Sequence, residues 1–327
     1  MILIYTKPGD EHADAVEARL RARGASVMRL DAARFPAHAT LALEHDGARP
    51  TLSVDLGAGA IALDGVETVW WRRPATPEPA AALRDPLVRD LVRDDTDAAL
   101  RDLLAALGAH FVPAPPATLA AARPRFRQLC LARHLGLAIP PTLVTNDPER
   151  ALAFYQAHDG NVVSKLAGHQ LVRGPLALEL CRYTEKVQRA DLAHLGALRL
   201  CPMVLQGYVE KRLELRVTVV GEQLFAVEID SQRRRRTRLD WRRYDLARTP
   251  HRPHTLPATV ERACLGLVRR LGLVYGAIDL VLTPDGEYVF LEINPNGQYL
   301  WLEELTGLPI TDALCDLLLR RAREGAA

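Results

Sequence analysis

"YGAIDLVLTPDGEYVFLEINPN" (residues 275–296) is two apolar runs joined by a Pro-Asp-Gly turn, the pattern of an antiparallel hairpin. With Thr283 placed opposite Tyr288, Asp279 falls opposite Glu292, and the two side chains stand about 5 Å apart on one face. Asn294, the next residue to point the same way, joins that face. Opposed carboxylates repel unless a positive charge lies between them. Oxygen donors without thiolate or imidazole suit a hard ion, and magnesium held by one or two carboxylates completes its shell with water and nucleotide phosphates. The stretch therefore predicts a magnesium-nucleotide site. The alternative is a register one residue off, with Glu292 an ordinary surface residue at a strand end.

Upstream, "NVVSKLAG" (161–168) reads as a strand that delivers Lys165 into a glycine-containing loop. That is what a phosphate-binding lysine needs, although a lysine at a strand end is also commonly a solvated charge. "LELRVTVVGEQLFAVEID" (213–230) reads as a hairpin around Gly221, with Glu214, Arg216 and Thr218 on one face and Leu215, Val217 and Val219 on the other. A three-residue loop would set Val220 opposite Leu224, Arg216 opposite Glu228 and Glu214 opposite Asp230. A half-exposed sheet would carry the same pattern.

Residues 231–252 hold nine arginines against two aspartates, in a chain whose net charge is only +2. The positive field is local, so the readings are a solvated loop, a nucleic-acid patch or a docking site for an acidic substrate. A length of 327 residues predicts two or three domains. Hydrophobic residues at 48% and charged residues at 25% are ordinary for a globular protein, and no apolar run approaches the roughly 18 residues of a membrane span. The N-terminus lacks a signal-peptide pattern, so the expected compartment is the cytoplasm. The five cysteines are scattered without Cys-x-x-Cys spacing, which argues against a zinc site or disulfide framework and predicts that most are buried apolar side chains.

Residues 1–30 read strand, helix, strand, without a Gly-x-Gly-x-x-Gly fingerprint. A hairpin around "HDGARP", a strand "VETVWWRRP" and a long helix from about Leu83 to Gly108 follow. The proline-rich "FVPAPPATL" (111–119) marks a seam. Beyond it come a helix in "RQLCLARHLGL", a strand "PTLVT", a helix opened by Asp147-Pro148, strands from Met203 onward and a core helix in "TVERACLGLVRRLGL".

Taken together, "EINPNGQYLWLEELTGLP", "QGYVEKRLELRVTVVG", "DWRRYDL", "YTEKV", "PPTLVTNDP" and "VWWRRP" resemble the ATP-grasp ligases that cyclise ribosomal peptides of the microviridin (graspetide) type, over nearly the whole chain. The resemblance implies an α/β (α+β) ATP-grasp fold with an N-terminal pre-ATP-grasp domain (1–112), a small central domain (113–202) and a C-terminal domain (203–327). It implies ATP and Mg²⁺ as cofactors. Asp279, Glu292 and Asn294 would hold the metal, Lys165 and Arg125 would contact phosphates, and Gln206, Tyr208 and Val209 would hold adenine at an interdomain hinge. Glu214 would bind ribose, while Arg216 and Arg242 would face the phosphoryl groups, with Arg216 and Lys165 as the catalytic cations.

The chain departs from the family pattern at "RFRQL", where Arg125 replaces the usual lysine of Lys-x-x-Gln-Leu, and in the glycine-poor loop "LAGHQLVRG". The implied reaction transfers the γ-phosphoryl group of ATP to a Glu or Asp side chain of a precursor peptide, and a Thr or Ser hydroxyl then closes a lactone. In that setting Arg233, Arg234, Arg235 and Arg236 would bind the acidic core. The stretch 178–196, including Asp191, would read a leader segment, unless it is an ordinary amphipathic helix. A homodimer is common in such enzymes. Two other classes remain open at this stage, an amide-forming ligase of the same fold and a non-catalytic nucleic-acid binder; near-neutral charge and the lack of an aromatic-interleaved basic motif oppose the latter.

Overall fold

The computed structural model describes residues 1–45, 51–166, 171–173, 179–181, 184–233, 239 and 249–324. The chain opens with a four-stranded parallel sheet in the order Val27–Leu30, Ile2–Thr6, Thr68–Arg73, His110–Val112. Its strands are near-continuous apolar runs because both faces are covered. Leu3 and Tyr5 point into one core cluster, and Ile2 and Ile4 into another beneath the helices Glu11–Ala22 and Ile310–Glu324. Asp10 caps the first helix by accepting from His12 N. An antiparallel meander, Thr40–Glu44, Thr51–Asp55 and Ala60–Ala62, and the helix Pro86–Ala106 complete this part. The expected hairpin tip at 46–50 lies outside the described residues.

The central unit is an antiparallel sheet ordered Glu185–Lys186, Val162–Lys165, Met203–Gly207, Thr142–Thr145. The helix Pro148–Ala157, opened by the Asp147 cap and Pro148 as the sequence predicts, packs on it with its own small cluster of Ala151, Val162, Leu198 and Leu205. The stretch 178–196 is not one amphipathic helix: its described residues form the strands Glu179–Cys181 and Glu185–Lys186 and the start of the 3₁₀ helix Arg189–Leu200. Among residues 184–196 only Thr184 is buried, so no face with a period of 3.6 is buried there.

The C-terminal unit is a five-stranded antiparallel sheet ordered His251–His254, Gln223–Ile229, Leu213–Val220, Tyr275–Leu282, Tyr288–Asn294. Its inner face (Leu215, Val217, Ile278, Leu280, Phe290) is continuous with the core of the N-terminal sheet and with the helices Arg125–His134 and Ala258–Arg270.

Three sequence expectations need correction. The loop of the 213–229 hairpin has two residues, since Val220 pairs with Gln223; Arg216 is opposite Val227 and Glu214 opposite Ile229, not Glu228 and Asp230. Gly221, at φ 61°, takes the first loop position, the geometry of a tight hairpin turn that matches strand twist. Thr283 does not pair with Tyr288; Leu282 does, and the loop is correspondingly longer. Of the described cysteines, Cys264 and Cys315 are buried but Cys130 and Cys201 are exposed, because the latter two lie on the outer side of a helix and at the end of the 3₁₀ helix. No described helix is long and apolar enough to cross a membrane.

Candidate active site

Asp279 does stand opposite Glu292, by a route that the hairpin pattern did not contain. Leu282–Tyr288, Val281–Val289 and Leu280–Phe290 follow one register, and the next pair is Asp279–Glu292, so Leu291 is an extra residue in the outer strand. Such a bulge moves the following side chains to the opposite face. Ile278–Ile293 and Ala277–Asn294 then continue the new register, so Ile293 enters the core while Glu292 and Asn294 share the Asp279 face. Without the extra residue Glu292 would oppose Ile278, a core position with 0% exposure.

Arg216 is directly opposite Asp279 on the other side, and its Nη1 donates to Asp279 Oδ1 at 2.9 Å. Glu214, two positions along, faces the same way and is 4% exposed. The charged face of the 213–220 strand is therefore buried, and it is not a half-exposed sheet. Glu214 accepts from Ser231 Oγ at 2.9 Å and lies 3.0 Å from Lys211 Nζ. Arg125 Nη2 donates to Glu292 Oε2 at 2.6 Å, and its Nη1 reaches Leu166 O at 3.4 Å, just past Lys165.

Of these residues Lys211, Glu214, Asp279 and Glu292 line one cleft between the central and C-terminal sheets, of about 580 Å³ including its open mouth. Lys165, Gln206, Tyr208 and Val209 form its central wall, and Glu214, Asp279 and Glu292 its floor. Gln206 is 1% exposed and donates from Nε2 to Thr142 Oγ1 at 2.9 Å. Tyr208 has Lys186 Nζ 5.7 Å from its ring centre. Pro140, Val163, Val281 and Leu291 supply apolar surface for a flat ring, and the carboxylate end is polar.

The oxygen set fits a hard divalent cation. Two carboxylates meet across adjacent strands, each paired with a guanidinium (Arg125 with Glu292, Arg216 with Asp279) with which a bound ion would compete, and Asn294 adds an amide that accepts from Asn296 N at 3.0 Å. No group of three or more His, Cys, Asp or Glu with metal-holding geometry occurs among the described residues, so a bound ion would take further oxygens from water or phosphate.

The loop after Asn294 is fixed from both the N-terminal and the C-terminal sheets. Arg72 Nη1 donates to Asn296 O at 2.8 Å, Tyr275 Oη to Gly297 O at 2.7 Å, and Arg216 Nη2 to Gln298 O at 3.3 Å. Gly297 leaves no room for a side chain, since a Cβ there would lie 2.2 Å from Ala277 Cβ. Burial pushes Tyr275 up to about 12, against the pull of the nearby arginines. His12 Nε2 accepts from Tyr299 N at 3.0 Å and Leu300 N at 3.1 Å, and burial holds its pKa down to about 3. A ring nitrogen that accepts twice has no proton, so His12 is neutral with its proton on Nδ1, toward Asp10. Burial raises Asp10, but Arg72 and the Thr6 hydroxyl outweigh it and hold the carboxyl below its ordinary range.

The remaining expected residues fall away from this cleft or outside the description. Arg233 is on the surface, paired with Asp230 at 2.6 Å, and Asp191 caps its 3₁₀ helix by accepting from Gln188 N at 2.7 Å. Arg234, Arg235, Arg236 and Arg242 lie outside the described residues. Sequence reading missed Lys211, Thr184 and Leu291 in the cleft and the Arg72 and His12 contacts behind it. Lys211 had a signal, a lysine three residues before Glu214 at the start of a strand; the others depend on contacts between distant segments.

The family described as MvdD pre-ATP grasp domain matches residues 1–117. Among solved structures, the macrocyclase MdnC of Microcystis aeruginosa MRC, bound with precursor peptide MdnA, is 33% identical, with a TM-score of 0.87 over 98% of this chain and 99% of that one. A RiPP-associated ATP-grasp ligase of Chryseobacterium gregarium, in complex with ADP and a leader and core peptide, is 30% identical, with a TM-score of 0.90 over 98% and 96%. The macrocyclase MdnB of Microcystis aeruginosa MRC is 34% identical, with a TM-score of 0.81 over 97% and 98%. No match was found among curated proteins.

Proposed function

The chain belongs to the ATP-grasp ligases of the microviridin or graspetide type, and from that membership we propose that it closes ester rings between side chains of an acidic precursor peptide. It is an ATP-dependent ligase with the ATP-grasp fold. The observation that supports the ATP-dependent step of this reading is the convergence of Lys165, Asp279 and Glu292 on one cleft, with Gln206, Tyr208 and Val209 along its wall and Arg216 bonded to Asp279.

In this reading residues 1–112, 113–202 and 203–327 are the three domains, and the nucleotide lies between the last two. Gln206, Tyr208 and Val209 take the adenine, and Glu214, oriented by Lys211 and Ser231, accepts from the ribose hydroxyls. Asp279, Glu292 and Asn294 would hold magnesium, which would neutralise phosphate charge. Lys165, Arg125 and Arg216, with Arg242, face the phosphates and balance the charge that develops during transfer. A carboxylate oxygen of a Glu or Asp in the peptide attacks the γ-phosphorus, and ADP leaves. The hydroxyl oxygen of a Thr or Ser then attacks the acyl carbon, giving up its proton, and inorganic phosphate departs. The ester oxygen comes from the hydroxyl, and one water equivalent is lost per ring.

Arg233, Arg234, Arg235 and Arg236 bind the acidic core, and the surface around Asp191 receives the leader. The C. gregarium ligase, whose structure holds ADP with a leader and core peptide, supports a substrate of that kind.

The test is intact-mass analysis of the peptide encoded beside this gene, after incubation with the protein, ATP and Mg²⁺, followed by mild alkaline hydrolysis. Losses of whole water masses that alkali restores are expected. Alkali-resistant losses would replace the ester with an amide, and ATP turnover without a mass change would remove this acceptor.

A further inference from the structure

The strand Tyr288–Asn294 ends the five-stranded sheet, so its outward backbone groups must find partners beyond the sheet. Before the bulge, Phe290 N donates to Ala138 O at 2.8 Å. After it, a single side chain takes both outward groups of the next bonded residue. Ile293 N donates to Gln128 Oε1 at 3.1 Å, and Gln128 Nε2 donates to Ile293 O at 3.0 Å. The same Nε2 donates to Ala122 O at 2.8 Å, and Gln128 is 2% exposed.

A regular strand presents the same edge at every second residue. Positions 290 and 293 are an odd number apart, so both can face outward only with the extra residue between them. Gln128 therefore engages the shifted register. It sits one helical turn after Arg125 on the helix Arg125–His134, and Arg125 holds the Glu292 carboxylate. One turn of helix thus grips the end of the strand twice, at a side chain and at the backbone beside it.

We propose that Gln128 is a positioning residue for the metal: by fixing the backbone of Ile293 it presents Glu292 and Asn294, on either side, to the Asp279 face. This rests on the reading of those three residues as ligands. It also explains the spacing of "RFRQL", since the arginine and the glutamine are one turn apart because their targets are adjacent.

The test compares the wild type with Gln128→Met, which keeps length but no polar atoms, and Gln128→Glu, which keeps an acceptor for Ile293 N while setting an oxygen against Ile293 O. Each is titrated with Mn²⁺ in the presence of ADP, bound metal is followed by electron paramagnetic resonance, and folding is followed by circular dichroism. Outer contacts that orient metal ligands commonly change affinity by about 10–100-fold, and a loss of at least about tenfold is expected in a variant that still melts cooperatively. If Gln128→Met does not fold, Gln128→Glu carries the comparison. Unchanged Mn²⁺ affinity in a folded variant would overturn the proposal while leaving the ligand assignment intact. A wild type that binds no Mn²⁺ with ADP would overturn the ligand assignment, and this role of Gln128 with it.

Discussion

Arg216 stands directly opposite Asp279 on the adjacent strand, and its guanidinium donates to the carboxylate at 2.9 Å with both side chains at or below 10% exposure. Removing one member of a buried pair leaves the other charge uncompensated, at a cost of about 3–5 kcal/mol. Arg216→Ala is expected to lower stability by that order and, where it folds, to lower kcat by about 10²–10³, as for loss of a charge-stabilising donor. Arg216→Lys separates the two effects by keeping charge without the fork. Calorimetry and single-turnover rates check this; an unchanged rate would place Arg216 outside the chemistry.

Arg125 occupies Glu292 Oε2 at 2.6 Å, where the proposed metal would bind. A guanidinium competes there with a cation, so Arg125→Ala is expected to bind Mn²⁺ alone about tenfold more tightly, a change of ~1.4 kcal/mol. The same variant is expected to bind ADP more weakly, through loss of a phosphate contact. Titration calorimetry with each ligand separately reads both signs, and parallel changes would contradict the dual role.

His12 gives stability a pH dependence of known sign. Its pKa falls from 6.5 in the unfolded chain to about 3 in the fold, so the unfolded chain binds more protons between those values. The contribution is complete above about pH 6.5 and is lost progressively as pH falls toward 3. One such group contributes a slope of at most ~1.4 kcal/mol per pH unit. His12→Gln, whose amide oxygen can still accept from Tyr299 N, is expected to flatten the acid limb of a denaturation series by part of that slope. Equal slopes would mean that His12 takes up its proton as readily in the fold as in the unfolded chain, and that the two backbone bonds to Nε2 do not hold it neutral.

Replacing Arg233, Arg234, Arg235 and Arg236 together with Ala is expected to raise the KM for the precursor peptide by about tenfold or more and to leave that for ATP within about twofold, through lost carboxylate recognition. Steady-state kinetics with each substrate varied in turn decides it. Equal effects on both would assign the segment to the nucleotide or to folding.

The sequence carried the strand and helix order well where caps and periodicity were strong, as at Asp147-Pro148 and in the 258–270 helix. It carried the Asp279–Glu292 pairing for an incomplete reason. The assumed Thr283–Tyr288 register gives the right pair at the acidic end, whereas the real hairpin begins one step off and recovers at Leu291. A bulge of this kind has no glycine or proline to announce it; Phe290 and Ile293, both core residues and three positions apart, are its trace in the sequence. The 213–229 hairpin misled in the opposite direction, because Gly221-Glu222 can be read as part of a longer loop. Gln128 and Arg72 act through backbone groups far along the chain, and nothing local to either residue distinguishes them from ordinary helix and strand polar residues.

The central cluster of Ala151, Val162, Leu198 and Leu205 shares no member with the core that joins the N-terminal and C-terminal sheets. Substitutions far apart and without common partners act nearly independently. Evolutionary drift is therefore compartmented in this molecule. The wall carrying Lys165, Gln206 and Tyr208 can be recast by changes that leave Leu215, Ile278 and Phe290 untouched, whereas the floor carrying Asp279 and Glu292 inherits every constraint of the larger core.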